Sequence, residues 1–252
     1  MLKLGVEALP RSLKKIIKSF IPSKIVINRR NKILDSFSGL SNQEIFTAIY
    51  RNYLWGRKNG DFGFYSGDGS HDPVVVDDYV ISVTEFLTKF DLPPVVVDLG
   101  CGDFHIGSLL AQYCSEYVAC DVVPELIESN IRRNNLINVK FKVLDAVTQE
   151  LPSGDVVIIR QMLQHLSNHD VKEVLKGIEG RFRYLIFTDH QPLKSNWIPN
   201  LDIITGHTIR VEINSGLDLN LQPFNLGALE CNLISEVKVD DGIIRTYIFR
   251  LL

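Results

Sequence analysis

The stretch Val95-Val-Val-Asp-Leu-Gly-Cys-Gly-Asp-Phe-His105 is an apolar run that ends in Asp98-x-Gly100-x-Gly102 and then passes into a helical pattern. Valines favour a buried, pleated environment, so the run predicts a buried β-strand. Glycines let the backbone turn tightly and approach a ligand that a Cβ would displace. We therefore predict that Gly100 and Gly102 contact a cofactor at the end of this strand.

The carboxylate of Asp98, just ahead of the first glycine, helps to identify the cofactor. It would repel a pyrophosphate, but it can hold an ammonium group directly or through water. The dinucleotide fingerprint G-x-G-x-x-G also requires a glycine where this chain has His105. Both features favour S-adenosylmethionine (SAM) over a dinucleotide, with Asp98 near the amino group of the ligand.

Acidic residues also end the next two predicted strands. Tyr117-Val-Ala-Cys120 leads to Asp121, and Val139-Lys-Phe-Lys-Val-Leu144 leads to Asp145. Asp121 can accept both ribose hydroxyls, of NAD or of SAM, and Asp145 can accept from an adenine amino group. Three acids at successive strand tips, beside a glycine turn, predict one cofactor site. Its predicted members at these two tips are Asp121, Val122, Asp145 and Ala146.

With these motifs the chain resembles class I SAM-dependent methyltransferases. More narrowly, it is similar to a poorly characterised bacterial group with Trp-Gly, Ser-Gly-x-Gly-Ser, Cys-Gly-Asp and Arg-x-x-Leu-Gln-His-Leu segments. The corresponding stretches are Trp55-Gly56, Ser66-Gly-Asp-Gly-Ser70, Cys101-Gly-Asp103 and Arg160-Gln-Met-Leu-Gln-His165-Leu. The resemblance implies an α/β, Rossmann-like, doubly wound sheet of seven strands, mostly parallel with an antiparallel final strand.

Apolar strand patterns alternate with helical patterns after Val95, which is typical of a parallel sheet covered on both faces. We divide the chain into a basic amphipathic arm at 1–40, a helical segment at 41–93 that closes over the cofactor, and a SAM-binding core at 94–252. Residues 190–227 interrupt the alternation with Pro, Asn and Gly. We expect this insertion to recognise the methyl acceptor and to form a lid.

Local signals predict where several elements begin and end. Ser41-x-x-Glu44 is a capping box for a helix to about Trp55, and Asp72-Pro73 opens a helix to about Phe90. The turn Asp240-Asp-Gly242 is expected to join the last two strands in a hairpin. Those strands are predicted at about Cys231 to Val239 and Ile243 to Leu251.

Composition indicates one α/β domain with additions in a reducing cytoplasm. The chain has 252 residues, 45% of them hydrophobic, enough for one substantial core. No apolar run reaches the roughly 18 residues that span a bilayer, and no signal peptide is evident. The cysteines lack metal-ligand spacing, so we expect free, buried thiols and no metal site. They are Cys101, Cys114, Cys120 and Cys231.

Charge is unevenly distributed along the chain. Residues 1–32 hold nine Lys and Arg and one acid, so the remainder holds 18 basic and 29 acidic residues. An acidic body argues against a nucleic-acid acceptor, because phosphate binding requires a basic surface. Within Arg11–Ile21 the apolar and lysine side chains separate into two helical faces. This basic helix has two interpretations: peripheral contact with a membrane, or packing on the body or across a homodimer.

Residues that follow the strands face the ligand in open α/β sheets. Methyl transfer is an in-line displacement, and the leaving thioether needs no proton. The enzyme therefore aligns the partners and removes a proton if the acceptor is an alcohol. His165, after the fourth strand, is the first candidate for this base, and His190, after the fifth, is the second. Either histidine can instead have a structural role, His165 by shaping the cofactor pocket.

Two further segments are expected to close the site. Ser66, Gly67 and Ser70 belong to a loop whose glycines and hydroxyls suit a carboxylate or phosphate, and we place it over the methionine tail of SAM. Arg160, at the end of the fourth strand, is a further predicted cofactor contact. The insertion after the fifth strand matches the narrower bacterial group, which implies acceptor binding by Asn200 and Arg210.

These features predict a cytoplasmic SAM-dependent methyltransferase with a small-molecule acceptor. We expect O-methylation of a sugar or another polyhydroxylated metabolite, with or without a phosphate, in surface-polysaccharide or natural-product biosynthesis. N- or C-methylation of another metabolite is the alternative within the enzyme class. A module that binds SAM without catalysis is the alternative outside it.

Overall fold

The computed structural model describes residues 33–56 and 63–252. Its main helices are α1 (Asn42–Arg51), α2 (Pro73–Leu87), α3 (His105–Leu110), α4 (Pro124–Arg133) and α5 (Asn168–Ile178). Its strands are β1 (Val95–Leu99), β2 (Glu116–Asp121), β3 (Val139–Val143), β4 (Val156–Arg160), β5 (Tyr184–Gln191), β6 (Ile198–Pro199), β7 (Ser215–Gly216), β8 (Glu230–Val239) and β9 (Gly242–Arg250).

Seven of these strands form one sheet in the order β3-β2-β1-β4-β5-β9-β8. Strands β1 to β5 run parallel, and β9 is antiparallel to both β5 and β8. The predicted seven-stranded, mostly parallel sheet with an antiparallel final strand is therefore confirmed. The order reverses between β1 and β4, and the carboxyl ends of the strands flanking such a reversal are where open α/β sheets bind ligands.

Both faces of the sheet are covered, because successive residues of β1 point to opposite sides. Val97 packs in one apolar core with side chains of α1, α4 and α5, whereas Val96 packs in another with α2 and α3. The continuous valine run of β1 follows from this, since a strand covered on both faces has no solvent side.

The helix starts follow the predicted caps, but two helices end early. Ser41 and Glu44 form the reciprocal capping box of α1, and Asp72 caps α2 with Pro73 in its first turn. Helix α1 ends at Arg51 because Tyr53 adopts a left-handed conformation with φ of 52°. Helix α2 ends at Leu87, where Thr88 caps it.

Phe104, which follows the glycine turn, adopts a left-handed conformation with φ of 63°. This conformation costs a non-glycine residue roughly 1–2 kcal/mol. The ring is buried and makes edge contacts with Tyr117 and Phe141. A Cβ at Gly107 would lie 2.3 Å from the ring, so the packing of Phe104 requires a glycine at position 107.

The hairpin at the end of the chain is confirmed, with Asp240 and Asp241 as its turn. The insertion at 190–227 contains β6 and β7, which pair in a small second sheet. The predicted basic helix Arg11–Ile21 lies outside the described residues. No helix within the described ranges is long and apolar enough to cross a membrane.

Candidate functional site

A cleft of about 1600 Å³ opens at the carboxyl ends of β1, β2, β4 and β5. Helix α1, the loop at 65–72 and the turn between β8 and β9 form its other walls. Pockets for drug-sized ligands measure roughly 300–1,000 Å³. This cleft therefore has room for a cofactor and a second molecule side by side.

The floor of the cleft is the glycine turn after β1. Gly100 and Gly102 have φ of 76° and 56°, a conformation that favours glycine. Asp121 at the tip of β2 also lines the cleft, and it accepts hydrogen bonds from the backbone N–H groups of Gly102 and Val123, each at 3.1 Å. Burial raises the pKa of Asp121 to about 6 despite these bonds. Val122 lies beside it in the wall.

One end of the cleft is built at the tip of β3. Asp145 Oδ1 accepts from Val147 N at 3.0 Å, and the amide of Asn42 on α1 lies 3.4 Å from both carboxylate oxygens. Phe46 from the same helix adds an apolar surface, and Ala146 lies beside Asp145. This end therefore combines hydrogen-bonding groups with a flat apolar wall, as an adenine ring requires.

The loop that contains Ser66, Gly67 and Ser70 forms the wall above the glycine turn. Arg160 at the end of β4 holds this loop from the other side. Its Nη2 donates to Gly69 O at 2.6 Å, and its Nη1 lies 3.4 Å from Ser70 Oγ. The guanidinium lies over the Tyr79 ring, and its buried Nε has no hydrogen-bond partner among the described residues. The cation thus lines the cleft with part of its donor capacity unused.

Asp98 does not contact the cleft directly, which corrects the direct form of its predicted role. The residue is only 6% exposed, does not line the cleft, and its Oδ2 accepts from Tyr117 Oη at 2.8 Å. Burial raises the pKa of Asp98 to about 7. The phenol of Tyr117, near the start of β2, holds the Asp98 carboxyl group in the core. Only a bridging water or Arg160 could connect this carboxyl group to a ligand.

His165 lines the cleft, but neighbours occupy both of its ring nitrogens. Nδ1 lies 3.3 Å from Thr208 O, and Nε2 lies 3.3 Å from the amide nitrogen of Gln164. The ring also packs against Trp55, with centroids 4.9 Å apart. Burial lowers the pKa of His165 to about 4, so the imidazole is neutral at physiological pH.

His190, at the end of β5, lines another part of the cleft. Its Nε2 lies 3.3 Å from Asp241 Oδ1 in the β8–β9 turn. The same turn brings Lys238 and Asp240 into the cleft wall. The two predicted histidines therefore do share one cavity, although different elements surround them.

Arg210 and Asn200 have structural positions, which corrects their predicted role in acceptor binding. Neither residue lines the cleft. Arg210 is 1% exposed, and its guanidinium donates to the carbonyl oxygens of Leu163, Leu166 and Leu201. Asn200 is also buried and bridges Asp218 and Gln222 through its side chain. Arg210 fastens the insertion to the loop after β4, whereas the Asn200 side chain joins two parts of the insertion to each other.

Several cleft residues were missed by the sequence reasoning. Asn42, Phe46 and Tyr50 lie on α1, which the sequence predicted as a helix without showing which face lines the cleft. Asp103, in the Cys-Gly-Asp segment, does not line the cleft, but its hydrogen bonds to Ser66 support the loop that does. Charged and titratable cleft residues that were also missed come from the insertion and the final hairpin, among them His207, Glu212, Lys238, Asp240 and Asp241.

Residues 96–182 match the family model described as "Methyltransferase domain". The N-methyltransferase NodS from Bradyrhizobium japonicum WM9, in complex with S-adenosyl-L-homocysteine, has a similar fold, with 13% identity and a TM-score of 0.59. That alignment covers 80% of this chain and 97% of NodS. No curated protein sequence matches the chain significantly.

Magnesium protoporphyrin IX methyltransferase (ChlM) from Synechocystis PCC 6803, with bound SAM, also shares the fold. Its identity to this chain is 15% and its TM-score 0.55, over 85% of this chain and 99% of ChlM. At these identities the similarity establishes the fold. The match to the domain model adds the reaction class for the segment that contains the glycine turn.

Proposed function

We propose that the chain, a class I SAM-dependent methyltransferase by its domain match and its fold, methylates a hydroxyl group of a sugar or another polyhydroxylated small molecule. The enzyme class and the cofactor rest on the match over residues 96–182 and on the seven-stranded sheet. The proposed identity of the acceptor rests on the chemistry of the cleft walls.

The donor and acceptor groups in the cleft fit SAM from one end to the other. We place the adenine between Phe46 and Asp145, and the ribose hydroxyls on Asp121, which accepts from both. The methionine carboxylate suits Arg160, whose Nε lacks a partner among the described residues and whose charge is buried. The loop at Ser66–Ser70 then covers the methionine tail. When bound, SAM supplies an electrophilic methyl group at its sulfonium.

The choice of acceptor rests on the many polar side chains that line the cleft beyond the cofactor end, next to an apolar surface. A polyhydroxylated molecule needs many hydrogen-bond partners in its site, because each unpaired buried polar group costs roughly 1–3 kcal/mol. Ile209, Ile244, Val74 and Val75 give the complementary apolar surface. The polar groups are Gln164, His165, His190, His207, Glu212, Lys238, Asp240 and Asp241.

Lys238 bears on whether the acceptor carries a phosphate. Lys238 lines the cleft, and its side chain forms no ion pair or hydrogen bond within the described ranges. A lysine without an ion-pair partner in the cleft wall can bind an anionic substituent of the acceptor. We therefore expect phosphorylated sugars to be better acceptors than neutral ones.

N-methylation is the second candidate, since Glu212, Asp240 and Asp241 also line the cleft. Carboxylates attract a cationic amine, although the amine must lose its proton before it can attack. The comparison between a sugar and its amino-sugar analogue separates the two reactions directly.

Transfer of tritium from methyl-labelled SAM to three acceptor panels tests the proposal. The panels are methyl glycosides, sugar 1-phosphates and amino sugars of the same ring configuration. We expect label on hydroxyl oxygens, located by mass spectrometry, with phosphorylated acceptors preferred. Transfer confined to the amino group of the amino sugars would contradict O-methylation, and a preference for neutral glycosides would contradict the role of Lys238.

A further inference from the structure

We infer that His190, oriented by Asp241, takes the proton from the acceptor hydroxyl, and that His165 is a structural part of the cleft wall. This inference rests on the proposed O-methylation. His190 is the penultimate residue of β5, and its ring lines the cleft although the residue is only 8% exposed. It is therefore held in place and still borders the cleft.

The two ring nitrogens of His190 have different surroundings. Nε2 is buried and lies 3.3 Å from Asp241 Oδ1, within ion-pair range but outside hydrogen-bond geometry. Nδ1 receives no hydrogen bond from any residue that the structure describes. A proton on Nε2 is favoured by the carboxylate, and this tautomer leaves the lone pair of Nδ1 for a ligand. Serine proteases use an acid in the same way to set the tautomer of their histidine.

The backbone of the hairpin fixes the orientation of the ring. His190 is opposite Ile244 in the antiparallel register of β5 and β9. A Cβ at Gly242 would lie 2.4 Å from His190 Nε2, so the imidazole packs directly on the start of β9. Orientation by rigid strands is a requirement for efficient proton transfer.

His165 differs in each of these respects. Thr208 O and the Gln164 amide occupy its two nitrogens, and Trp55 covers one face of its ring. A nitrogen engaged with protein groups must break those contacts before it accepts a proton from a ligand. The burial that lowers its basicity agrees with this geometric reason.

The chemical step balances with these groups alone. The acceptor oxygen forms a bond to the methyl carbon of SAM as the carbon–sulfur bond breaks, and that electron pair stays on sulfur. The hydroxyl proton moves to Nδ1 of His190. Asp241 stabilises the resulting imidazolium, which later releases the proton to solvent. In this assignment His190 is the catalytic residue and Asp241 a positioning residue.

The tautomer of His190 is measurable without a known acceptor. Two-bond ¹H–¹⁵N spectra of the labelled full-length protein distinguish Nδ1–H from Nε2–H imidazoles, with His190→Gln used for assignment. We expect a pure Nε2–H ring in the wild type and a mixture of tautomers in Asp241→Asn. Asp77→Asn, which removes an exposed acid on α2, should leave the signal unchanged. An Nδ1–H ring in the wild type would overturn the inference.

Transfer kinetics with the sugar 1-phosphate and methyl glycoside panels test the catalytic role. His190→Gln should lower kcat by about 10²-fold or more while the Kd for SAM stays within twofold. Asp241→Asn should lower kcat about tenfold at nearly constant KM, and Asp241→Glu should restore most of the loss. The Asp241 side chain is 70% exposed, so these variants are expected to fold.

His165→Gln provides the contrast, with kcat expected to fall less than fivefold. Equal losses in His165→Gln and His190→Gln, or retained activity in His190→Gln, would overturn the assignment. If the wild type transfers only to amino groups, the proposed O-methylation fails, whereas the tautomer experiment still reports on His190 and Asp241.

Discussion

Ser66 and Asp103 hold each other through two hydrogen bonds. Ser66 N donates to Asp103 Oδ2 at 3.1 Å, and Asp103 N donates to Ser66 Oγ at 2.8 Å. His71 Nε2 adds a third contact to the same carboxylate at 2.6 Å. Burial opposes ionisation of Asp103, but the bonds from His71 and Ser66 hold its pKa below the ordinary value. One carboxylate therefore fastens the loop at 66–70 onto the glycine turn.

Asp103→Ala should weaken SAM binding about tenfold or more, because the loss of charge-assisted hydrogen bonds, each worth roughly 1.5–3 kcal/mol, releases the loop. Calorimetric titration with SAM measures this effect. The matched control is Asp91→Asn, which neutralises an exposed acid ahead of β1. This variant should bind SAM as the wild type does. Unchanged affinity in Asp103→Ala would show that the loop does not cover the cofactor.

Asp121→Ala should weaken binding of SAM and of S-adenosylhomocysteine by roughly 1.5–3 kcal/mol, because it removes a charged acceptor from the ribose site. Glu128→Gln, on the exposed side of α4, provides the control. An equal loss in both variants would point to a general electrostatic effect and away from a contact with the ribose.

SAM affinity should also depend on pH through the same residue. The pKa of Asp121 is raised to about 6 by burial, so the free protein takes up a proton there as the pH falls below that value. If only the ionised form accepts both hydroxyls, the Kd is flat above about pH 7 and rises up to tenfold per pH unit below about 6. Titrations between pH 5 and 8 measure the curve. Asp121→Asn, which cannot ionise, should bind weakly and without this dependence.

Arg210→Met should lower the free energy of unfolding by about 3 kcal/mol or more, because it leaves buried carbonyl groups without donors. The affected carbonyls belong to Leu163, Leu166 and Leu201. Urea denaturation measures the loss, and Arg132→Met on exposed α4 surface should change stability little. A stable Arg210→Met protein with a raised KM for the acceptor would instead support the prediction that Arg210 binds the acceptor.

Asp189→Asn should stabilise the protein increasingly as the pH rises. Burial raises the pKa of Asp189 from 3.8 to about 7, and its Oδ1 has no hydrogen-bond partner among the described residues. Between these values the folded state holds a proton that the unfolded state has lost, so wild-type stability falls with rising pH. Asparagine does not ionise, so the stability of Asp189→Asn does not fall with pH for this reason. We expect its advantage to grow by about 2 kcal/mol between pH 5 and 7, as measured by urea denaturation. A constant difference would contradict this account.

The sheet and the grouping of Gly100, Gly102, Asp121 and Asp145 around one cleft were predictable because both depend on local patterns. The run at Val95–Leu99, the glycines after it and the acids at the ends of β2 and β3 each signal their environment within a few residues. The carboxyl ends of parallel strands meet at one edge, so these separate signals combine into a single site. The turn at Asp240-Asp241 was recognisable for the same reason.

The roles of Arg210, Asn200 and Asp98 were not predictable in this way. A sequence shows that a residue can form hydrogen bonds, but it does not show whether protein or ligand supplies the partners. The carbonyl groups that hold Arg210 come from loops about 45 positions earlier in the chain. His190 and Asp241 are similarly far apart in the sequence, and their contact depends on β9 lying between β5 and β8.

The position of the β8–β9 turn has a consequence for how such an enzyme diversifies. Asp240 and Asp241 lie at the tip of a long hairpin, where substitutions leave the strand ladder intact. The groups proposed to hold SAM lie on α1, the glycine turn and the tips of β2 to β4. With the proposed roles, a change at Asp240 can alter which acceptor is modified without loss of donor binding, whereas a change at Asp241 also slows the reaction.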